Sequence, residues 1–298
     1  MVRAGYIGPR QAAEYMALAG RNDAAIMAIC DPTGTAEPPA DGAVARTYEA
    51  PEELVLAADL DALVLRTPPR ETARLARMAA TRGMALFLAP PIAADPDDAV
   101  ALLDAVQRAG VVTCAGAPMR YAINLIQLRQ MVRERTLGWL AARAVAGPGD
   151  GLPWERAAAA CDLVRYVGGP VASLSAATRA DGLAAAVVEL QSGPPALISV
   201  ANGWTAGAET SIEALADGCR MAWFAGTNHL VLDGREWRVA ERNGMNDLHV
   251  AEMAAFTTAV RTGHRSPILC DCADAVETLR LVAMLRQAWE PAEGEDAP

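Results

Sequence analysis

Three groups of residues in this sequence have the types and spacing of chemical sites. The first is Gly8-Pro9-Arg10-Gln11-Ala12-Ala13, between an apolar strand-like run and a helix-like one. A turn of the form G-x-G-x-x-G lets the backbone approach a pyrophosphate, whose charge the following helix N-terminus favours. Here only Gly8 is kept; Arg10 stands at the second glycine and Ala13 at the third. Arg10 would either offer charge to a phosphate or fill the space nearest to it. Asp31 closes the next apolar run, 23 positions after Gly8, where an acidic side chain accepts from a ribose 2′-OH. An Asp before Pro32 is equally an ordinary turn former. No arginine directly follows Asp31, so a dinucleotide here would be NAD rather than NADP.

The second group lies on an expected helix, Trp154–Val167. Glu155, Ala159 and Asp162 fall at i, i+4 and i+7 and so share a face. Two carboxylates with a small residue between them could bind or protonate a substrate, and Trp154 could stack on a ring. The plainer reading has Asp162 paired with an arginine such as Arg165, and Glu155 as a solvated first-turn acid favoured by the helix dipole. The third group is Arg120, which could hold a carboxylate or phosphate or else be a surface arginine opening a helix, together with His249. His249 precedes the closing helix and could serve as an acid–base group, although a lone histidine is more often structural.

Composition restricts the chemistry. Lysine and arginine together number 26, and all 26 are arginines, so no Schiff base and no ammonium acid is available from a side chain. A GC-rich coding sequence would account for that bias. The net charge of −10 argues against nucleic acid as a partner. Six scattered cysteines include no Cys-x-x-Cys pair, and Cys270-Asp271-Cys272 is too tight for the usual zinc spacings, so no metal site is expected. No apolar run reaches the roughly 18 residues of a membrane span, and no signal-peptide pattern opens the sequence; a cytoplasmic protein is expected.

The elements that must position these residues change character along the chain. Up to about residue 120, short apolar strands alternate with helices: Arg3–Ile7, Gln11–Ala19, Ala24–Cys30, Pro51–Ala58, Asp61–Arg66, Arg70–Arg82, Met84–Leu88, Pro96–Ala109 and Val111–Ala115. A Pro/Gly/Ala-rich loop to about Ala45 interrupts them. This pattern means βαβ units and a parallel, Rossmann-type sheet. From about Gly138, strand-like runs follow one another with turn signals such as Ser192-Gly193-Pro194 and Asp233-Gly234. That implies an α+β domain with a large, mostly antiparallel open sheet. The expected division is 1–120 and 121–298, with a closing helix, His249–Arg261, that could pack back on the first domain.

With these pieces in order, the chain resembles the Gfo/Idh/MocA family of oxidoreductases over nearly its full length. Arg66-Thr67-Pro68-Pro69 is similar to the family's strand-end Thr-Pro-Pro segment beside the cofactor. Ala85–Pro91 aligns with the strand ending in the family's Glu-Lys-Pro motif. Gly116–Tyr121 is similar to the segment leading to an Arg-aromatic pair near the substrate, and Asp162–Tyr166 with Gly168–Val171 to a helix and its exit. The resemblance implies that Thr67, Pro68 and Pro90 lie at the cofactor, with Gly8, Arg10 and Asp31. It implies that Arg120, Tyr121 and the Glu155-Ala159-Asp162 face look into a substrate cleft.

The departures are concentrated in the reacting groups. Ala89-Pro90-Pro91 replaces Glu-Lys-Pro; Glu155 and Ala159 replace an Asp-x-x-x-His pair; the histidine often found after Thr-Pro-Pro is missing from Arg70-Glu71-Thr72; and the glycine turn is degraded. The resulting expectation is an enzyme of this build that handles a small cyclic or sugar-like molecule by a lyase, isomerase or cyclase step, with NAD(P) binding weak or absent. The alternatives are an atypical NAD(P)-dependent oxidoreductase and a non-catalytic ligand-binding or partner protein. Apolar residues beyond the needs of one face in Ala184–Leu190 and Ala196–Ala201 point to a homodimer or homotetramer through the C-terminal sheet.

Overall fold

The computed structural model describes residues 1–32, 45–57, 59–147, 154–180, 182–203, 208–237 and 245–290. The expected loop before Ala45 falls largely outside them. In chain order the first elements are β1 (Val2–Ile7), α1 (Ala13–Ala19), β2 (Ala24–Cys30), β3 (Arg46–Thr47), α2 (Pro51–Ala57) and β4 (Ala62–Leu65). Then come α3 (Pro69–Thr81), β5 (Ala85–Leu88), α4 (Pro96–Ala109), β6 (Thr113–Ala115), a 3-10 turn at Pro118–Tyr121, and α5 (Ile123–Arg133). The chain continues with β7 (Leu137–Val145), α6 (Trp154–Gly168), β8 (Val171–Ala180), β9 (Leu183–Leu190), β10 (Pro195–Ala201) and β11 (Glu209–Ala216). It ends with β12 (Cys219–Phe224), β13 (His229–Leu232), β14 (Arg235–Trp237), α7 (Met245–Thr262) and α8 (Cys272–Trp289).

These elements form two compact units, Met1–Pro118 with Met245–Glu277, and Met119–Gly244 with Thr278–Pro298. The first holds a six-stranded parallel sheet in the order β3-β2-β1-β4-β5-β6. β4 and β5 are buried at every residue, as strands covered on both faces must be. Ala4, Tyr6, Val64 and Phe87 pack with Leu18 of α1 and with Met253 and Phe256 of α7. Gly5 looks the other way, where a Cβ would stand 2.6 Å from Leu60 Cδ1. The punctuation of α4 is as the sequence predicts. The Asp95 carboxylate accepts from the Asp98 N–H at 2.9 Å, Pro96 opens the helix, and Gly110 closes it at φ +66°.

Two boundaries that bear on the expected site residues differ from expectation in this unit. α1 begins at Ala13 rather than Gln11, because Pro9 to Ala12 is a separate turn. The Ala12 N–H donates to Pro9 O at 3.1 Å, and the Tyr6 hydroxyl donates to the same carbonyl at 2.8 Å. α7 begins at Met245, so His249 lies inside the helix, not before it.

The second unit holds an eight-stranded sheet in the order β14-β13-β12-β11-β7-β10-β9-β8, antiparallel except where β10 pairs with β7. β9, β10 and β11 alternate buried and partly exposed residues, the signature of one covered and one open face. On the open side, Trp139 and Leu215 stand opposite each other across β7 and β11, at 38% and 43% exposure. α5 follows Arg120 and its 3-10 turn; Leu125, Leu128 and Val132, spaced as one helical face, are buried.

Candidate functional site

In a doubly wound sheet, ligands bind beyond the carboxyl ends of the strands where the strand order reverses. Here that point lies between β1 and β4. The turn after β1 keeps Gly8 for reasons internal to the chain: at φ +146°, a Cβ there would stand 2.6 Å from Arg66 O. Arg10 is half-buried in the turn. Across the reversal point runs an ion pair, Arg66 Nη1 donating to Glu14 Oε1 at 2.8 Å. Glu14, on α1, is 4% exposed, whereas the Arg66 side chain, just past β4, is 46% exposed. The other carboxylate oxygen, Glu14 Oε2, is buried and has no hydrogen-bond partner among the described residues.

His249 reaches the same neighbourhood from α7, which packs on α1. Its Nδ1 is buried, makes no hydrogen bond among the described residues, and lies 3.9 Å from Glu252 Oε2. Glu252 Oε1 accepts from the Ala117 N–H at 2.6 Å, and its Oε2, the oxygen nearer His249, is also buried. Burial pushes the His249 imidazole below its ordinary value; the Glu14 carboxylate opposes that shift and the Arg66 guanidinium adds to it.

The remaining expected cofactor residues are held by local contacts. Asp31 follows β2 and is half-buried. The Thr67 hydroxyl is 2.8 Å from that of Thr72, which also donates to Thr67 O at 2.9 Å. Pro68 stands at the cap position of α3. Pro90 presses on Gly116, where a Cβ would stand 2.9 Å from Pro90 Cδ.

Within the second unit, Arg120 and Asp162 meet. Arg120 Nε donates to Asp162 Oδ2 at 3.0 Å and Nη2 to Oδ1 at 2.7 Å. Arg120 is 3% exposed, so the surface-arginine reading is wrong: a bidentate carboxylate makes its burial tolerable. Nor does Asp162 pair with Arg165. That guanidinium donates to the Thr278 hydroxyl at 2.7 Å, which in turn donates to Asp162 Oδ1 at 3.3 Å. The Tyr166 ring lies under Arg120, 5.1 Å from its guanidinium carbon, and its hydroxyl donates to Arg120 O at 3.3 Å. Tyr121, closing the 3-10 turn, is half-buried.

On α6, Glu155 is exposed and Ala159 half-buried, while Asp162 is taken by Arg120. Trp154 already stacks, on Trp289 at 5.7 Å, and Arg286 lies over its ring at 5.2 Å. The structure thus gathers the expected residues into separate local sets. It adds Glu14, Arg66, Glu252, Tyr166 and Thr278, which sequence reading did not single out as site residues. The available signal for Glu14 was one acid inside the otherwise apolar helix Ala13–Ala19. Among the described residues no group of three or more His, Cys, Asp or Glu side chains could hold a metal ion. No described helix is long and apolar enough to cross a membrane.

The chain thus joins a six-stranded doubly wound domain, of the kind that takes ligands where its strand order reverses, to an α+β domain with an eight-stranded sheet. Residues 1–117 match the Gfo/Idh/MocA model, described as the oxidoreductase family with the NAD-binding Rossmann fold, and this domain belongs to that family. UDP-N-acetylglucosamine 3-dehydrogenase GnnA from Acidithiobacillus ferrooxidans has the same fold. It superposes with a TM-score of 0.80 at 19% identity, over 97% of this chain and 98% of that one. The scyllo-inositol dehydrogenase from Lactobacillus casei, solved with NAD(H) and scyllo-inositol, gives 0.78 at 13% identity over 97% of each chain. The WlbA dehydrogenase from Bordetella pertussis, solved with NADH and UDP-GlcNAcA, gives 0.77 at 19% identity over 96% of each. No curated protein matches the sequence.

Proposed function

We propose that this chain is a repurposed relative of the sugar and inositol dehydrogenases, acting on a small cyclic or sugar-like molecule by a lyase, isomerase or cyclase step without net hydride transfer. The observation that carries the reading is the Glu14–Arg66 pair across the reversal point, in a chain that has no lysine. A pyrophosphate entering at the reversal point would meet a buried carboxylate, and the Arg66 guanidinium there is already engaged by it. The turn that would cradle the phosphates carries Arg10 in place of a glycine and is separated from α1 by a turn of its own. These residues do not fit a nicotinamide dinucleotide well, and its binding is expected to be weak or absent. Gly8 is compatible with this reading, since packing on Arg66 is sufficient reason for a glycine there.

Proton transfer remains possible without a cofactor. His249, kept neutral by burial, is suited to accept a proton. Arg120 and Asp162, paired with each other, would position the 3-10 turn and α6 rather than exchange protons. Six cysteine thiols agree with a reducing, cytoplasmic setting, and the open face of the second sheet, with Trp139 and Leu215, with a homo-oligomer.

The second reading, an atypical NAD(P)-dependent oxidoreductase, is favoured by the relatives solved with NAD(H). Mass spectrometry of small molecules released from the purified protein separates the two. A cyclic or sugar-like compound without nucleotide supports the first reading; stoichiometric NAD or NADP supports the second.

A further inference from the structure

We infer that His249, Glu252 and the Ala117 amide form a proton-responsive tether on the segment by which the chain leaves the first unit. The segment runs through Ala115, Gly116 and Ala117 to Pro118, after which Met119 opens the second unit. Three successive N–H groups fix it. Ala115 donates to Cys270 O and Gly116 to Leu88 O, each at 2.9 Å. Ala117 donates instead to Glu252 Oε1 at 2.6 Å, across 135 residues of sequence. The first two acceptors are peptide carbonyls and do not titrate. The third is a carboxylate only 1% exposed. Pro118 has no N–H to add a further hold, and the 3-10 turn that carries Arg120 begins with it. The last hold before that turn is therefore on an ionisable side chain.

His249 lies one helical turn before Glu252 on α7, and its buried Nδ1 is 3.9 Å from Glu252 Oε2. That is beyond hydrogen-bond reach. An imidazolium there becomes a charged donor beside a carboxylate in a poorly hydrated place, where the attraction is strong. Closing the gap to hydrogen-bond length moves the two groups together by about 1 Å. Oε1 moves with Oε2, so the bond from Ala117 lengthens and weakens. The surrounding groups set where this happens. Burial disfavours the imidazolium, Glu14 of α1 favours it and Arg66, beyond β4, disfavours it; the balance holds His249 below its ordinary value of 6.5. Tyr6 of β1 stays neutral, since burial pushes its hydroxyl up. α7 itself adds the exposed Asp247 near its start. The tether is tight at neutral pH and loosens in mild acid. None of its three groups depends on what the crevice binds.

The test is NMR on the full chain labelled with ¹⁵N-alanine and ¹³C′-glycine. This selects the amides of alanines that follow a glycine, Ala43, Ala117 and Ala208. Ala117→Ser assigns the signal of interest, and His249→Gln assigns the imidazole, which is followed in parallel. The Ala117 amide should titrate with the midpoint of His249, below pH 6.5. Below that midpoint its hydrogen exchange, corrected for the intrinsic effect of pH, should be about tenfold or more faster, the weakening of one hydrogen bond to a charged group. In His249→Gln, a change at a partly exposed site, both responses should vanish. Glu252→Gln keeps an acceptor for Ala117 but no charge for the imidazolium, and should uncouple the two titrations; if it fails to fold, His249→Gln decides alone. Four results overturn the tether: an Ala117 amide that stays flat while His249 titrates, a shift without faster exchange, a response that persists in His249→Gln, or an imidazole that stays neutral until the chain unfolds.

Discussion

Replacing Asp162 by Leu should destabilise the second unit severely. The carboxylate receives both Arg120 hydrogen bonds, at 2.7 and 3.0 Å, and a third from Thr278 at 3.3 Å. Arg120 is 3% and Asp162 13% exposed, so loss of the acid leaves a guanidinium charge in the interior without its bidentate carboxylate. Breaking one partner of such a pair costs about 3–5 kcal/mol. At about 2–4 °C per kcal/mol for a domain of this size, the midpoint should fall by about 6–20 °C. All six tryptophans lie within residues 119–244 and 278–298, so tryptophan fluorescence during urea or thermal unfolding reports this unit and not the first. The Arg120→Met/Asp162→Leu double variant should be more stable than Asp162→Leu, because no unpaired charge remains. A loss below about 1 kcal/mol in Asp162→Leu, or a double variant as unstable as the two singles added, would refute a closed structural pair. It would return both residues to the pool of groups open to substrate.

Three further outcomes are expected. Pro90→Lys with Ala159→His should show no NAD-dependent oxidation of inositol or sugar substrates above background, since Pro90 is packed on Gly116 and Glu14 and Arg10 are unchanged; a clear rate of NAD reduction would show a nearly intact site. His249 is held below its ordinary value of 6.5, so the unfolded chain binds the extra proton more readily. Stability of the first unit should therefore fall as pH drops through about 6.5, and His249→Gln should flatten that fall in hydrogen-exchange measurements; an unchanged profile would show that His249 is not desolvated. Light scattering should give a mass above the 31.2 kDa of one chain, and Leu215→Arg, opposite Trp139 on the open face, should lower it toward one chain. A monomeric wild type would remove the proposed interface.

What the sequence disclosed was local. Asp95, Pro96 and Gly110 mark both ends of α4 because capping and left-handed termination act within a turn of the residue concerned. The buried runs of β4 and β5, and the alternation in β9 to β11, follow from the period of a strand. The pairs that decide the site are not local. Arg66 and Glu14 are 52 residues apart, Arg120 and Asp162 are 42 apart, and no periodicity announces either. The late start of α1 depends on the Tyr6 hydroxyl reaching Pro9 O, a contact across a turn whose residues alone read as a helix opening. His249 was legible as an acid–base candidate but not as a residue inside α7, where its Nδ1 lies 3.9 Å from Glu252 Oε2. The lost lysine was legible outright; the ion pair standing in the crevice was not.

The central claim is that this crevice no longer seats a nicotinamide dinucleotide, and calorimetric titration of the purified full chain with NAD and with NADP tests it most directly. The account predicts no saturable heat tighter than high micromolar for either. It further predicts that Arg10→Gly with Glu14→Gln improves nucleotide binding before any dehydrogenase activity appears, because a cofactor must be seated before geometry at a reacting carbon matters. A tight, saturable isotherm for the wild-type chain would contradict the account and return the protein to the dehydrogenases whose fold it shares.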